Sequence, residues 1–333
     1  MVPVFTFLFS CYCFSRRVCM TQKLATFLKL LVLCSLSCLT LMACTPKRIA
    51  SHLTAQIMTK GAPKYEMESD IEVASDAAMT LIKIMEVFQH DNPKNSDFNT
   101  LLARSYANYC MGFLEFDLLR YKDVDDVLYQ KYLKRTKLFY ERGKDYGLGA
   151  LKTNSGFKKA LTRDMDRFNR VLAGMGQDRV PELFWTAMDW GGFINLSKDS
   201  PLAVAMFPKV EAMMRRVLEL DSGYYYGVPY VFFGVSYGSR PAMFGGNLPK
   251  AKDYFEKALS QYQRKFLMAH IYYALFYALP IKDQVLYKKL LDEVLETPAD
   301  VLPQARLANE MAKVRAEWML DEKNMKRLFE SVE

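Results

Sequence analysis

The residue types that most often do chemistry are sparse in this chain and poorly spaced for it. Its three histidines, His52, His90 and His270, stand far apart. No His-x3-His or paired-cysteine spacing suggests a metal ligand set. Neither a nucleophile elbow nor a phosphate loop is expected. Carboxylates abound, but "TRDMDRF", Thr162 to Phe168, reads as a solvated charged face rather than an acid/base pair. No catalytic residue, metal or cofactor is therefore predicted, and an envelope hydrolase is the weakest of the functional readings.

Of the seven cysteines, five precede Cys44 and one, Cys110, follows it. Cys110 lies in the apolar helical pattern "LLARSYANYCMGFLEF" and reads as a small buried hydrophobe. The rest belong to the amino-terminal region. From Met20 the chain reads "MTQKLATFLKLLVLCSLSCLTLMAC". Lys23 and Lys29 give a positive start, and an apolar run from Leu30 to Met42 follows. The run is short of the roughly 20 apolar residues of a spanning helix and reads as a secretory signal. Its Leu-x-Ala-Cys ending looks like a bacterial lipobox, although Met42 is bulkier than the usual residue there. On that reading residues 1–43 are removed, with Met20 as an alternative start, and Cys44 carries the lipid. Loss of Arg16, Arg17, Lys23 and Lys29 lowers the formal charge from +8 to +4, too little to argue for nucleic acid. A signal with an incidental cysteine, or an uncleaved anchor, is the alternative.

What must position any site is a chain of helices. Residues 44–69 read as a lipidated tether of weak helical character, and 70–333 as one helical domain. "DIEVASDAAMTLIKIMEVF" puts Ile71, Ala74, Ala78, Leu81, Ile82 and Met85 on one stripe. "HDNPKNSD" breaks it, and Ser96 or Asp97 can cap the next helix. No sustained two-residue alternation appears, so the fold class is all-α.

So many helix pairs call for a repeat search. "YYYGVPYVFFGVSYGSRPAMFGGNLPKAKDYFEKAL", Tyr224 to Leu259, fits the tetratricopeptide pattern. Phe233, Gly234 and Tyr237 match its first helix, and Ala251, Phe255 and Ala258 its second. The corner "SRPAMFGG" is about five residues longer than usual, and Gly245 and Gly246 are expected to take the positive φ of a wide turn. Weaker copies occur at Leu102, Ala103 and Tyr106; at Thr136, Tyr140 and Gly143; at Val210, Met214 and Val217; at Tyr287, Leu291 and Val294; and at Leu307, Ala308 and Met311. This predicts irregular tetratricopeptide-like hairpins forming one α-α superhelical domain, with an ordinary helical bundle as the alternative.

The lipobox, the degraded repeats and the segment from Tyr224 together resemble the T component of tetratricopeptide-repeat-associated TRAP (tripartite ATP-independent periplasmic) transporters. The residues that carry the resemblance are Tyr224 to Gly227, Pro229, Gly234, Pro241, Gly245, Gly246, Ala251 and Phe255. It implies a periplasmic lipoprotein, anchored by its lipid to a bacterial membrane (the inner one), that partners a solute-binding P component. It also implies a homotrimer with an internal pore or cleft for a small hydrophobic ligand. A general periplasmic scaffold for envelope assembly is the alternative.

"ELFWTAMDWGGFINL", Glu182 to Leu196, places Trp185, Trp190 and Phe193 beside two glycines and Asn195. With Tyr224 these are candidates for a cleft or pore lining, against core packing as the plainer reading. Tyr225, Tyr226, Met243 and Phe244 are candidates for a partner or subunit interface. Three consecutive tyrosines on a helix point in different directions and cannot all face one core.

Overall fold

The computed structural model describes Lys29 and residues 45–331. The signal segment and Cys44 lie outside the described residues, apart from Lys29. The chain divides into two compact units, Met1–Leu53 and Thr54–Glu333. The described part of the first, Lys29 and residues 45–53, is helical. The expected tether is instead α1 (Thr45–Glu66), a regular helix with Pro63 in its last turn. From Thr54 on, this helix belongs to the second unit. There Ala55 is fully buried, and Met58, Ala62 and Tyr65 pack on core residues of later helices.

The second unit has no strand among its described residues. Polar residues punctuate it. Asp70 caps α2 (Ile71–Asp91) by accepting from the amides of Glu72 and Val73. Asn95, rather than Ser96 or Asp97, caps α3 (Ser96–Tyr109) through the amides of Asp97 and Phe98. An Asn carbonyl placed at the N-cap reaches both free amides, and this leaves the Ser96 hydroxyl for Glu182, 2.5 Å away. A π-helical turn, Cys110–Leu114, joins α3 to α4 (Glu115–Tyr121). Asp125 caps α5 (Asp126–Leu151), and two short helices follow, α6 (Ser155–Ala160) and α7 (Met165–Ala173). Then come α8 (Val180–Asn195), α9 (Pro201–Val204) and α10 (Phe207–Leu220). The closing group is α11 (Tyr224–Gly238), α12 (Leu248–Gln261), α13 (Met268–Tyr273), α14 (Gln284–Glu296), α15 (Arg306–Leu320) and α16 (Glu322–Glu330).

Packing follows the apolar stripes. On α2, Ala74, Ala78, Ile82 and Met85 are buried, whereas Leu81 faces outward. α3 packs on α2 and α5, α5 on α8, α8 on α10, and α11 on α12. The α11–α12 pair is close because Gly234 lies flat against Phe255; a methyl there would come within 2.8 Å of the phenyl ring. Ala251, Phe255 and Ala258 are all buried. The weaker repeat positions are also interior: Leu102, Ala103, Tyr106, Tyr140, Val210, Met214, Val217, Tyr287, Leu291 and Val294. No helix among the described residues is long and apolar enough to cross a membrane.

Cys110 is buried with its thiol toward the Thr136 carbonyl at 3.8 Å. Loss of water pushes its pKa well above the usual thiol range, so the nucleophilic thiolate is suppressed.

Candidate functional site

The second unit encloses a cavity of about 1130 Å³, beyond the roughly 300–1,000 Å³ of ordinary ligand pockets. Its wall is mostly apolar. Met111 and Phe113 come from the π-helical turn, Phe116 and Leu119 from α4, Val228, Val231 and Phe232 from α11, and Tyr272, Leu275 and Phe276 from α13 and the turn after it.

The tyrosine run shapes one side of this cavity by leaving the helix. Tyr225 (φ 44°, ψ 56°), Tyr226 (φ 63°, ψ 27°) and Gly227 (φ 78°, ψ 14°) are all left-handed. For each of the two tyrosines that backbone costs roughly 1–2 kcal/mol. The expectation of three residues fanning around a regular helix is thus corrected: the left-handed turn brings Tyr225 and Tyr226 to the same wall. Tyr225 donates to Glu66 Oε1 at 3.1 Å and to Asn108 Oδ1 at 3.2 Å. Its ring meets Trp185 edge-on at 4.7 Å. Tyr226 donates to the Gln304 carbonyl at 2.9 Å and stacks on Phe266 at 5.1 Å. Arg104 pairs with Glu66 and lies over both Trp185 and Tyr225. Burial, then the Glu66 charge, drives the Tyr225 phenol far above its ordinary pKa, which keeps it a neutral donor.

A second polar group sits in the wall at Glu115. It accepts from Tyr140 at 2.6 Å and from Tyr272 at 3.0 Å. Arg315 is nearly fully buried and donates to the carbonyls of Met111 and Gly112. A π-turn loosens the local ladder and exposes such carbonyls, which is the physical role of the Cys110–Leu114 insertion here. Arg315, with Gly112, Phe113, Phe116 and Met311, also borders a smaller cavity of about 430 Å³ lined by Asp117, Arg120 and Arg135.

The sequence candidates divide. Asn195, Tyr225, Tyr226 and Phe244 line the large cavity. Trp185 and Trp190 do not; both are core, because α8 is packed on both sides by α5 and α10. Phe193 is half-buried under Lys144, whose Nζ is 4.7 Å from the ring centre. Tyr224 packs edge-on against Phe184 at 5.0 Å instead of reaching the cavity. Met243 is 82% exposed and lies outside the lining. In the corner after α11, Gly245 has φ 86°, as a wide turn requires. Gly246 does not; it is glycine because a side chain there would run into the Arg240 carbonyl.

One spacing in the chain does match a nucleophile elbow, Gly234-Val235-Ser236-Tyr237-Gly238. It lies inside α11 rather than at a strand-to-helix turn, and the Ser236 hydroxyl accepts from Arg240 at 2.9 Å. No histidine reaches it within the cavity lining.

The family model of the TRAP transporter T-component matches residues 67–329. The chain belongs to that family. Among curated proteins, none matches it. A T component is an accessory transporter subunit, and it works with other TRAP subunits. The matched span contains the whole of the strained tyrosine turn, the glycine corner and all but Tyr65 and Glu66 of the cavity lining. Glu115, Tyr272 and Arg315 carried no sequence signal. They come from three separate helical segments and meet only after folding.

Proposed function

We propose that this T component is a periplasmic lipoprotein that holds a small hydrophobic ligand in its large cavity and passes it to or from a solute-binding P component. The observation that carries the reading is the apolar cavity of about 1130 Å³ within a chain of this family. Burying apolar ligand surface there is worth roughly 25 cal/mol per Å². The test is native mass spectrometry of the protein purified from its own cell envelope. A stoichiometric small apolar adduct supports the reading, and a cavity that takes up no apolar compound would sink it.

The P component is proposed to dock on the corner between α11 and α12. Met243 and Phe244 are 82% and 66% exposed there, although large apolar side chains on a loop are expected to find cover. Changing both to serine is expected to leave the helical circular dichroism intact. Capture of the P component should fall at least tenfold, since losing buried interface anchors costs about 2 kcal/mol or more. Undiminished capture would move the interface elsewhere. Self-association as a homotrimer belongs to the same reading and is checked by sedimentation of the unsubstituted protein.

The anchor is proposed at Cys44. Mass spectrometry of the mature amino terminus should find Cys44 first and acylated. An unmodified Cys44, or residues 1–43 still attached, defeats the anchor without touching the cavity.

The alternative of a general envelope scaffold draws on a different surface. Val73, Leu81, Ile84, Val87 and Phe88 form an exposed apolar stripe on α2. If the cavity proves empty and this stripe captures assembly factors, the scaffold reading takes over.

A further inference from the structure

The charges on the cavity wall are lopsided. Two carboxylates line it, Glu66 and Glu115, against four cations, Lys122, Lys198, Arg240 and Arg315. Both carboxylates are already engaged. Glu66 is paired with Arg104 and accepts from Tyr225, and Glu115 accepts from two phenols. The two arginines are engaged as well. Arg240 donates to the Ser236 carbonyl and hydroxyl, and Arg315 to the carbonyls of Met111 and Gly112. The two lysines are not. Among the described residues, neither ammonium group has a carboxylate or a hydrogen-bond acceptor.

Lys122 follows α4 and Lys198 follows α8, so the fold brings two helix ends to one rim of the same cavity. Tyr129 and Asn195 belong to the same lining and add a phenol and an amide. Although both lysines are solvent-exposed, partial loss of water and then repulsion from Lys122 lower the Lys198 pKa. A second cation near Lys198 on the lining of an apolar cavity raises the cost of its charge, and an anion bound there would offset that cost.

We propose that the ligand of this cavity is an anionic amphiphile, with its hydrocarbon tail inside and its carboxylate at the rim between Lys122 and Lys198. This rests on the ligand-holding role proposed above and names the chemical class it takes. The opposite orientation, head inward, would set the carboxylate against Glu115. Its inner cation, Arg315, already gives one amino group to the π-turn carbonyls and turns the other to the Met268 sulfur, which leaves Nε as its one uncommitted donor. Head outward, the carboxylate stays partly hydrated while the tail displaces water from apolar wall, so both ends gain.

The experiment compares a long-chain fatty acid with the alcohol of the same chain. Both are titrated, below their aggregation concentrations, into the full chain kept unacylated by Cys44→Ser. The acid is expected to bind at least tenfold tighter than the alcohol, with the difference shrinking as salt is raised. Lys122→Gln with Lys198→Gln should remove that preference and leave alcohol binding unchanged. Because both lysines are exposed, the double variant should melt as its parent does. Acid and alcohol of equal affinity in the parent would overturn the inference while sparing the cavity reading. A preference that survives the double change, or that disappears only with Arg315→Gln, would also overturn it. Binding of neither probe would defeat the inference and the ligand-holding role together.

Discussion

Replacing Gly147 with leucine should destabilise the protein by about 3 kcal/mol, the upper end of what overpacking an interior costs. Gly147 and Gly143 are one helical turn apart on α5, and both face α8. A methyl on Gly147 would collide with the Thr186 hydroxyl and reach its Cα at 3.0 Å. Neither atom can yield easily. The hydroxyl is held by a 2.6 Å hydrogen bond to the Glu182 carbonyl, and the Cα belongs to the facing helix. Even Gly147→Ala should lose stability, although alanine is favoured over glycine by about 1 kcal/mol inside a helix. The clash therefore has to exceed the propensity gain, and the comparison has a built-in control. Gly61, in α1, has no heavy atom within 4 Å of where its side chain would be. There the same change to alanine should stabilise, by up to about 1 kcal/mol. Urea midpoints of the three variants decide the matter. If Gly147→Leu and its parent unfold together, α5 and α8 are not in contact at this point.

The all-α class was legible because the chain repeats one device many times. An apolar stripe runs at helical period, and an Asp, Asn or Ser then sits where the next helix needs a cap. Asp70, Asn95, Asp125, Asn154, Asp164, Ser200, Asn247, Asp283 and Asp321 all accept from the first free amides of their helices. The pairing of α11 with α12 was legible too, since Gly234 and Phe255 are complementary in size and the pattern fixes their spacing. Less visible was the helix that replaces the expected tether. Residues 45–66 carry a weak apolar pattern, and what orders their second half is contact with residues far away in sequence, such as Tyr65 to the Ala74 carbonyl at 2.9 Å and Glu66 to Arg104.

The cavity was half legible for a related reason. Aromatic content near Trp185 and Tyr224 pointed to the right region, yet the tryptophans turned inward and the tyrosines beside Gly227 turned to the cavity. Periodicity assumes a regular helix, and the left-handed φ values of Tyr225 and Tyr226 break that assumption. The only local sign of it is Gly227 followed closely by Pro229, a pair that disfavours a helix start of ordinary geometry. The α5–α8 contact shows a further limit. "GKDYGLG" in α5 reads as a helix with too many glycines; Asn99 of α3 lies over Gly149, and only the partner helix α8 explains Gly143 and Gly147.

That partner helix supplies the second large effect, with the opposite sign: Asp189→Asn should stabilise the protein at neutral pH. Asp189 is fully buried between α5 and α8, against Gly143, and neither carboxylate oxygen has a hydrogen-bond partner. Burial alone raises its pKa well above the usual carboxylate value. The folded protein therefore keeps the proton at Asp189 where the unfolded chain, with a pKa of about 3.9, gives it up. Below that value both states are protonated and the side chain costs nothing on this account. As pH rises above it, the unfolded state is increasingly favoured, until the folded-state pKa is passed. Asparagine has nearly the shape of the protonated acid and does not titrate. Its advantage should be smallest at pH 4 and grow as pH rises, levelling off once the folded-state pKa is passed, with each unit of raised pKa worth about 1.36 kcal/mol. Thermal melts of both proteins at pH 4, 5, 6 and 7 read this directly. A melting-temperature difference that is flat with pH, or an asparagine variant that is weaker at pH 7, would mean that Asp189 is ionised in the folded protein and has a partner for its charge.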